Sequence, residues 1–358
     1  MRLQPDRAAA TMYAGREAVH ACLATAWRDA LARAHAPHVF HLPAVQMAWL
    51  DTIGRLREVE PLVVRVAHGG VEAWFSVAIH TYRGRLVSRR VCEAVGQDYF
   101  GYDEPLVVGD PATADWDAVW SALRAALAGT ADSGLFRSVD PRLAGTRFSE
   151  PAGDESPVLR LEGESFDRLL ARCSANHRGD IRRRVRRLEQ RGDLALHIFG
   201  PAEAPAAVAE LAGPFWAAFT DPGGSHAGQE RPGLRDFVTR LVQDGVPAGH
   251  THVSALRLDG RAIAWHVGLQ SERRLYWWLP AHAEAWAEYS PGKVLLARLI
   301  ERLMGDGWAE LHFQTGSQRY KLAWQPTLPP RRAVRWYART ARAGLLAAYD
   351  RLSGLHAR

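Results

Sequence analysis

The stretch HVSALRLDGRAIAWHVGLQSERRLYWWLPA, residues 252–281, restricts the fold of this chain more than any other part of it. It reads as three strands joined by tight turns at LDGR and QSERR. Downstream, Ser290-Pro291 opens a helix over SPGKVLLARLIERLMGDG, with Ser290 as its cap and Pro291 in its first turn. A strand AELHF follows, and beyond Trp324 come a strand RRAVRWY and a terminal helix. Antiparallel strands, one helix and then another strand describe an α+β domain with a mixed, mainly antiparallel central sheet flanked by helices.

Upstream, helical patterns cover about Arg16–Arg33 and Ala44–Arg57. Strand-like runs PLVVRVAHGG, VEAWFSVAIHTY and RLVSRRVCEAV follow, with Gly69-Gly70 and Gly84 marking turns. A helix through DWDAVWSALRAALAG and a short strand GLFRSV come next. The polar SEPAGDESP is the best boundary, dividing the chain into domains 1–155 and 156–358. After it, SFDRLLARCSANHRGDIRRRVRRLEQRG predicts one or two helices, and further helices are expected near Pro205–Phe219 and in GLRDFVTRLVQDG.

With 47% hydrophobic and 23% charged residues, the 358-residue chain has the composition of a folded protein. The three cysteines, Cys22, Cys92 and Cys173, are too widely spaced for a zinc-type cluster, so no metal site is expected. The N-terminal twenty residues hold no apolar core of signal-peptide length, and no apolar run reaches the ~18 residues of a membrane span. A cytoplasmic location is expected. The formal charge of +6 favours anionic partners without choosing among them.

Two motifs and one helix carry candidate chemistry. Of 45 basic residues only two are lysines, Lys293 in YSPGK and Lys321 in QRYKLAW. At the helix start, Gly292 admits a phosphate close to unpaired backbone N–H groups, and Lys293 adds a charge at the rim. Tyr289 and Ser290 beside them, with Trp278 on the preceding strand, complete the expected cofactor-binding set. In ELHFQTGSQRYKLAW, a strand delivers His312 and Gln314 to its end, and Tyr320 and Lys321 follow a turn at Gly316. Histidine serves as a base near neutral pH, and tyrosine or lysine donates to a leaving group. The third segment, NHRGDIRRRVRRLEQR, has one apolar stripe of Ile181, Val185 and Leu188 among many arginines, including Arg178 and Arg182. It reads equally as a solvated face or as a phosphate-binding surface for a nucleotide or RNA.

Residues 258–324, with Gly260, Tyr276, Ser290-Pro291-Gly292, Gly316, Tyr320-Lys321 and Trp324 in this order, resemble a branch of the GNAT superfamily. That branch is the cellulose-biosynthesis-associated acetyltransferase-like one, related to the Fem-type aminoacyl-tRNA-dependent transferases. The resemblance runs from about Ser165 to Trp336 and implies tandem GNAT-like domains, the N-terminal one degenerate. The chain departs from the family pattern at His312, where Asp is usual, at Gln314 for a turn glycine, and at Ala283 with Glu284 beside it. The stricter pyrophosphate loop of the superfamily is absent.

The resemblance implies an N-acyltransferase moving an acyl group from a thioester, acyl-CoA or carrier protein, directly to a small-molecule amine. No permanently bound cofactor is implied. His312 or Glu284 would accept the amine proton, Tyr320 would protonate the leaving thiolate, and Lys321 would support the site. His282, Gln314, Arg178 and Arg182 would meet the substrate. The alternative donor is aminoacyl-tRNA, held by the arginine-rich helix 177–191, and a third reading is a non-catalytic GNAT-fold binding module.

Overall fold

A computed structural model describes residues 8–83, 88–221, 226, 229 and 231–352; the turn expected at Gly84 lies outside them. The strands in chain order are β1 (Ala9–Ala14), β2 (Glu60–His68), β3 (Val71–Arg83), β4 (Ser88–Ala94), β5 (Leu106–Val108), β6 (Ser133–Val139) and β7 (Ser149–Pro151). They continue with β8 (Val158–Arg160), β9 (Leu194–Ile198), β10 (Thr251–Leu258), β11 (Arg261–Ser271), β12 (Arg274–His282), β13 (Glu310–His312) and β14 (Arg332–Tyr337).

These strands form two sheets in two compact units. The first unit comprises residues 1–155 and 330–358, the second residues 156–329. The second domain therefore ends at Pro329 and not at residue 358. The physical reason is β14, which pairs antiparallel with β6 and β7 and places Val334 and Trp336 in the first unit's core. Gly134 lies opposite Trp336 in the register, and a Cβ there would fall 2.2 Å from the indole, so the bare backbone makes room for the ring. The expected linker contributes β7 itself.

Both units repeat one topology. In the first, the sheet runs β1-β2-β3-β4-β6-β14-β7, with β5 added on β3. In the second it runs β8-β13-β12-β11-β10-β9. Each has three consecutive antiparallel strands, then a helix, then a strand parallel to the third: Trp116–Ala126 leads to β6 beside β4, and Pro291–Gly305 leads to β13 beside β12. All other pairings are antiparallel. This is the mixed, mainly antiparallel α+β architecture that the sequence predicts.

In the second unit, one sheet face carries Leu256, Ala264, Leu275, Trp277 and Leu311 into a core with the helix Pro291–Gly305. Ile181 and Leu188 of the helix Ala175–Glu189 close the same core, as their stripe predicts. Two helices form where one or two were expected, Phe166–Arg172 and Ala175–Glu189, because Ser165 and Ser174 each cap a new start. The helix expected near Pro205–Phe219 is interrupted. Ala204–Glu210 passes into a wide π-turn at Leu211–Phe215, which absorbs Pro214, before Trp216–Thr220. Likewise Thr25 and Thr52 break the two N-terminal helices into Arg16–Ala24 with Ala26–Leu31 and Pro43–Asp51 with Ile53–Leu56. No helix among the described residues is long and apolar enough to cross a membrane.

Candidate functional site

The second unit's parallel strands diverge. β12 pairs with β13 only from Arg274↔Glu310 to Tyr276↔His312; β13 then ends while β12 runs on to His282. On its other edge β12 stays paired with β11, but the register slips so that Gly268 faces Trp277 and Val267 faces Leu279. Trp278 is the extra residue of this bulge. Its N–H donates to Nε2 of His266 at 3.3 Å, and the His266 ring lies flat on Trp277 at 4.0 Å. Gly268 is required at the slip, because a Cβ there would meet the Tyr276 carbonyl oxygen at 2.5 Å and the His266 ring at 2.6 Å. His266 is fully buried, and burial holds its pKa well below the usual histidine value, so it remains a neutral acceptor.

At the far end of β12, His282 comes beside the helix start. The direction a Cβ would take from Gly292 is open, its nearest neighbour being His282 Nδ1 at 4.0 Å. Burial lowers the His282 pKa, with exposed Glu284 acting against the shift. Ser290 occupies the cap position, but in the left-handed region (φ 51°, ψ 57°), where its hydroxyl does not cap the helix. Instead it accepts a hydrogen bond from Arg184 Nη1 at 2.5 Å. Lys293 reaches Asp180 at 3.3 Å, and Asp180 also takes Arg184 Nε at 2.8 Å, so one carboxylate ties the arginine-rich helix to this helix start. These partners hold the Asp180 carboxyl below its usual range. Tyr289 is buried beneath the guanidinium groups of Arg187 and Arg191, 4.7 and 5.6 Å from its ring, and packs toward that helix.

At the end of β13, His312 Nε2 meets Glu310 Oε2 at 2.9 Å and its ring leans on Tyr276 at 4.7 Å. The His312 contact and Arg274 keep Glu310 ionised below the usual range. Tyr320 packs on the opposite face, against the core that holds Trp277, and burial raises its phenol pKa while the Trp277 indole opposes the rise. Because Tyr276 and Trp277 are successive strand residues, His312 and Tyr320 flank β12 from its two faces. Lys321 is buried, and its ammonium donates to the carbonyls of Thr315 (2.8 Å) and Gly316 (3.4 Å). It staples the turn in which Gln314 and Gly316 adopt positive φ. Gln314 is buried in that turn. Arg178 closes the end of the preceding helix through the carbonyls of Ala171 and Cys173, and Arg182 is exposed.

The sequence-derived residues therefore fall into two groups joined by β12. Trp278, His312 and Tyr320 stand around the divergence, and His282, Glu284, Ser290, Gly292 and Lys293 stand around the helix start. Asp180 and Gly268 were missed by sequence reasoning. Only the Asp180–Arg184 pair, at i,i+4 spacing, has a local signal. Among the described residues no cluster of His, Cys, Asp and Glu could hold a metal ion.

Residues 175–322 match the family model described as an acetyltransferase (GNAT) domain. Among solved structures the chain is similar to the C-terminal domain of an Agrobacterium fabrum protein described as a lysylphosphatidylglycerol synthetase, with a TM-score of 0.54 and 14% identity. That likeness covers 93% of this chain and 96% of the other. FemX is similar at a TM-score of 0.54 and 10% identity, covering 84% of this chain and 93% of its own. At these identities the likeness is one of fold. No curated protein matches the chain. The expected GNAT-like fold holds, and FemX shares it, whereas none of these matches singles out the cellulose-associated branch.

Proposed function

We propose that the GNAT domain transfers an acyl group from a thioester donor to a small-molecule amine by direct attack. The observation that carries this reading is the divergence of β12 from β13, together with the bulge at Trp278. It leaves a strand edge along which an extended pantetheine arm can lie, ending where His312 and Tyr320 flank the strand. The donor's phosphates would sit at Gly292 and Lys293, where first-turn N–H groups and a partly exposed ammonium favour anions. Ser290, turned toward Arg184, would contribute through that guanidinium. Tyr289 supports the arginine-rich wall, and His282 and Glu284 form the rim.

The amine nitrogen attacks the thioester carbon, and the resulting tetrahedral adduct expels the thiolate as the C–S bond breaks. His312, oriented by ionised Glu310, takes the proton lost by the amine, and Tyr320 supplies a proton to the thiolate sulfur. Opposite faces suit these roles, since nucleophile and leaving group then use different sides of one carbonyl. The acyl-CoA is a co-substrate, consumed in each turnover. Three free, buried cysteines fit a protein working in the reducing cytoplasm. Activity should rise with pH as the base deprotonates, and His312→Ala should flatten that rise while lowering kcat about 10²-fold or more. A His312→Ala enzyme with the parent pH–rate profile would remove His312 from the role.

One observation favours aminoacyl-tRNA as the donor instead. The helix tied to the helix start by Asp180 exposes Arg182, Arg183 and Arg186, which makes a basic surface contiguous with the phosphate position. Titration with tRNA at two salt concentrations tests it. A donor tRNA must bind with a steep salt dependence, and retention of affinity at high salt counts against the arginines.

A further inference from the structure

The first unit holds a cavity of about 160 Å³ that the transfer reaction above does not use. It lies on the sheet face opposite that unit's core, since Cys92 and Phe136 point into the core while their neighbours Glu93 and Arg137 line the cavity. Tyr82 of β3 and Tyr337 of β14 complete its walls, and Asp350 of the helix Ala341–Leu352 borders it.

Most charges here are matched. Asp350 takes Arg89 at 2.9 Å and the Tyr337 hydroxyl at 2.9 Å, and Arg335 is held by Glu150 at 2.9 Å. Two are not. Glu93 is only 3% exposed, yet among the described residues no arginine or lysine lies within ion-pair distance of it. Its contacts are the Tyr82 hydroxyl, which donates at 3.1 Å, and His80 at 3.6 Å. Burial pushes the His80 pKa down to about 4, so that ring is neutral and brings no charge. Arg137 is 54% exposed at its side chain, and its nearest carboxylate, Asp98, is 3.9 Å away. Glu93 and Arg137 thus face one cavity with opposite charges and do not pair with each other.

A buried carboxylate with no cation in contact is costly, and a proton or a cationic guest relieves it. Burial raises the Glu93 pKa, the more distant charges of Arg137 and Arg57 act against the rise, and the Asp98 carboxylate adds to it. A cationic guest alone would leave Arg137 with only its long contact to Asp98, whereas a zwitterion meets both groups. A cavity of roughly 150 Å³ takes up a guest of benzene size, about six heavy atoms. We propose that this cavity binds a small α-amino acid, with its ammonium on Glu93 and its carboxylate on Arg137. Tyr82 and Tyr337 add hydroxyls at its walls.

Calorimetric titration of the full chain at pH 8 with glycine, L-alanine and L-serine tests this, with ethylammonium and propionate as half-ligands. The amino acids should bind at least about tenfold more tightly than either half-ligand, since each charged contact is worth that much. Glu93→Gln should abolish binding, and Arg137→Gln should bring the amino acids down to the level of ethylammonium. Affinity should also fall on acidification, because a proton on Glu93 competes with the ammonium. No binding by any of the three amino acids would overturn the proposal, as would propionate binding as well as alanine. Should Glu93→Gln fail to fold, the exposed Arg137→Gln decides alone: undiminished amino-acid affinity there contradicts the assignment.

Discussion

The two lysines of this arginine-rich chain have separate tasks. Lys293 stays at the surface, paired to Asp180, at the rim where an anion would arrive. Lys321 is buried and bonded to two carbonyls of the turn that follows His312. The enclosed site of Lys321 suits a compact ammonium, and the bulkier planar guanidinium is a poorer fit there. Lys321→Met should therefore cost about 1–3 kcal/mol of stability by leaving the Thr315 carbonyl without its charged donor, and Lys321→Arg should not restore it. Denaturant midpoints measure this, and an unchanged midpoint for Lys321→Met would remove the staple. The sequence shows that both lysines stand in motifs that resemble a family, but it cannot show that one is buried. Its ammonium is instead taken up by the Thr315 and Gly316 carbonyls, a pairing that no residue type announces. Ser290 is a similar case: its type and place read as a cap, while its left-handed backbone gives its hydroxyl to Arg184.

Among the elements, apolar strands bounded by tight turns and the capped-looking helix Pro291–Gly305 were legible, because their local signals agree with their burial. The short strands β7 and β8, three residues each, carry little signal of their own and exist through their neighbours. The bulge in β12 was not legible, because nothing in YWWL marks which residue is extra. Its mark lies on the partner strand, in Gly268. Gly268→Ala should force the Tyr276 carbonyl and the His266 ring apart, at a cost of about 1–3 kcal/mol from overpacking. It should also weaken donor binding more than it weakens the fold, because the displaced edge is the proposed donor platform. Thermal melting with and without donor separates the two effects, and a Gly268→Ala protein with parental donor affinity would detach the bulge from function.

For the whole molecule, the boundary near residue 155 was legible from composition, but the return of β14 to the first unit was not. No local pattern in RRAVRWY says which sheet it joins; the space above Gly134 decides. Titration also acts at this scale. His41 and His80 in the first unit and His252 in the second have pKa values pushed down by burial to about 4, and that of His266 is also lowered. An unfolded histidine titrates near ~6.5, so between about pH 6.5 and 4 the unfolded chain binds more protons and stability falls with falling pH. Asp103 in the first unit opposes this: its carboxyl is raised to about 8 by burial, so its contribution grows as pH falls from about 8 toward 4. The second unit has no raised carboxyl among the described residues. Hydrogen exchange followed from pH 7 to 4.5 should therefore show residues 156–329 losing protection first. Earlier opening of the first unit would contradict the assignment of neutral buried histidines.

The measurement that bears most directly on the proposed transfer site is calorimetric binding of acetyl-CoA and desulfo-CoA to the parent chain and to Gly292→Asp. Gly292 has open space above its Cα, so aspartate there should leave the fold intact and place a negative charge where the phosphates would rest. Both ligands should bind the parent, with a loss of at least about tenfold in the variant. Equal binding to parent and variant would contradict the helix-start site, and no binding to either would contradict a CoA thioester as the donor.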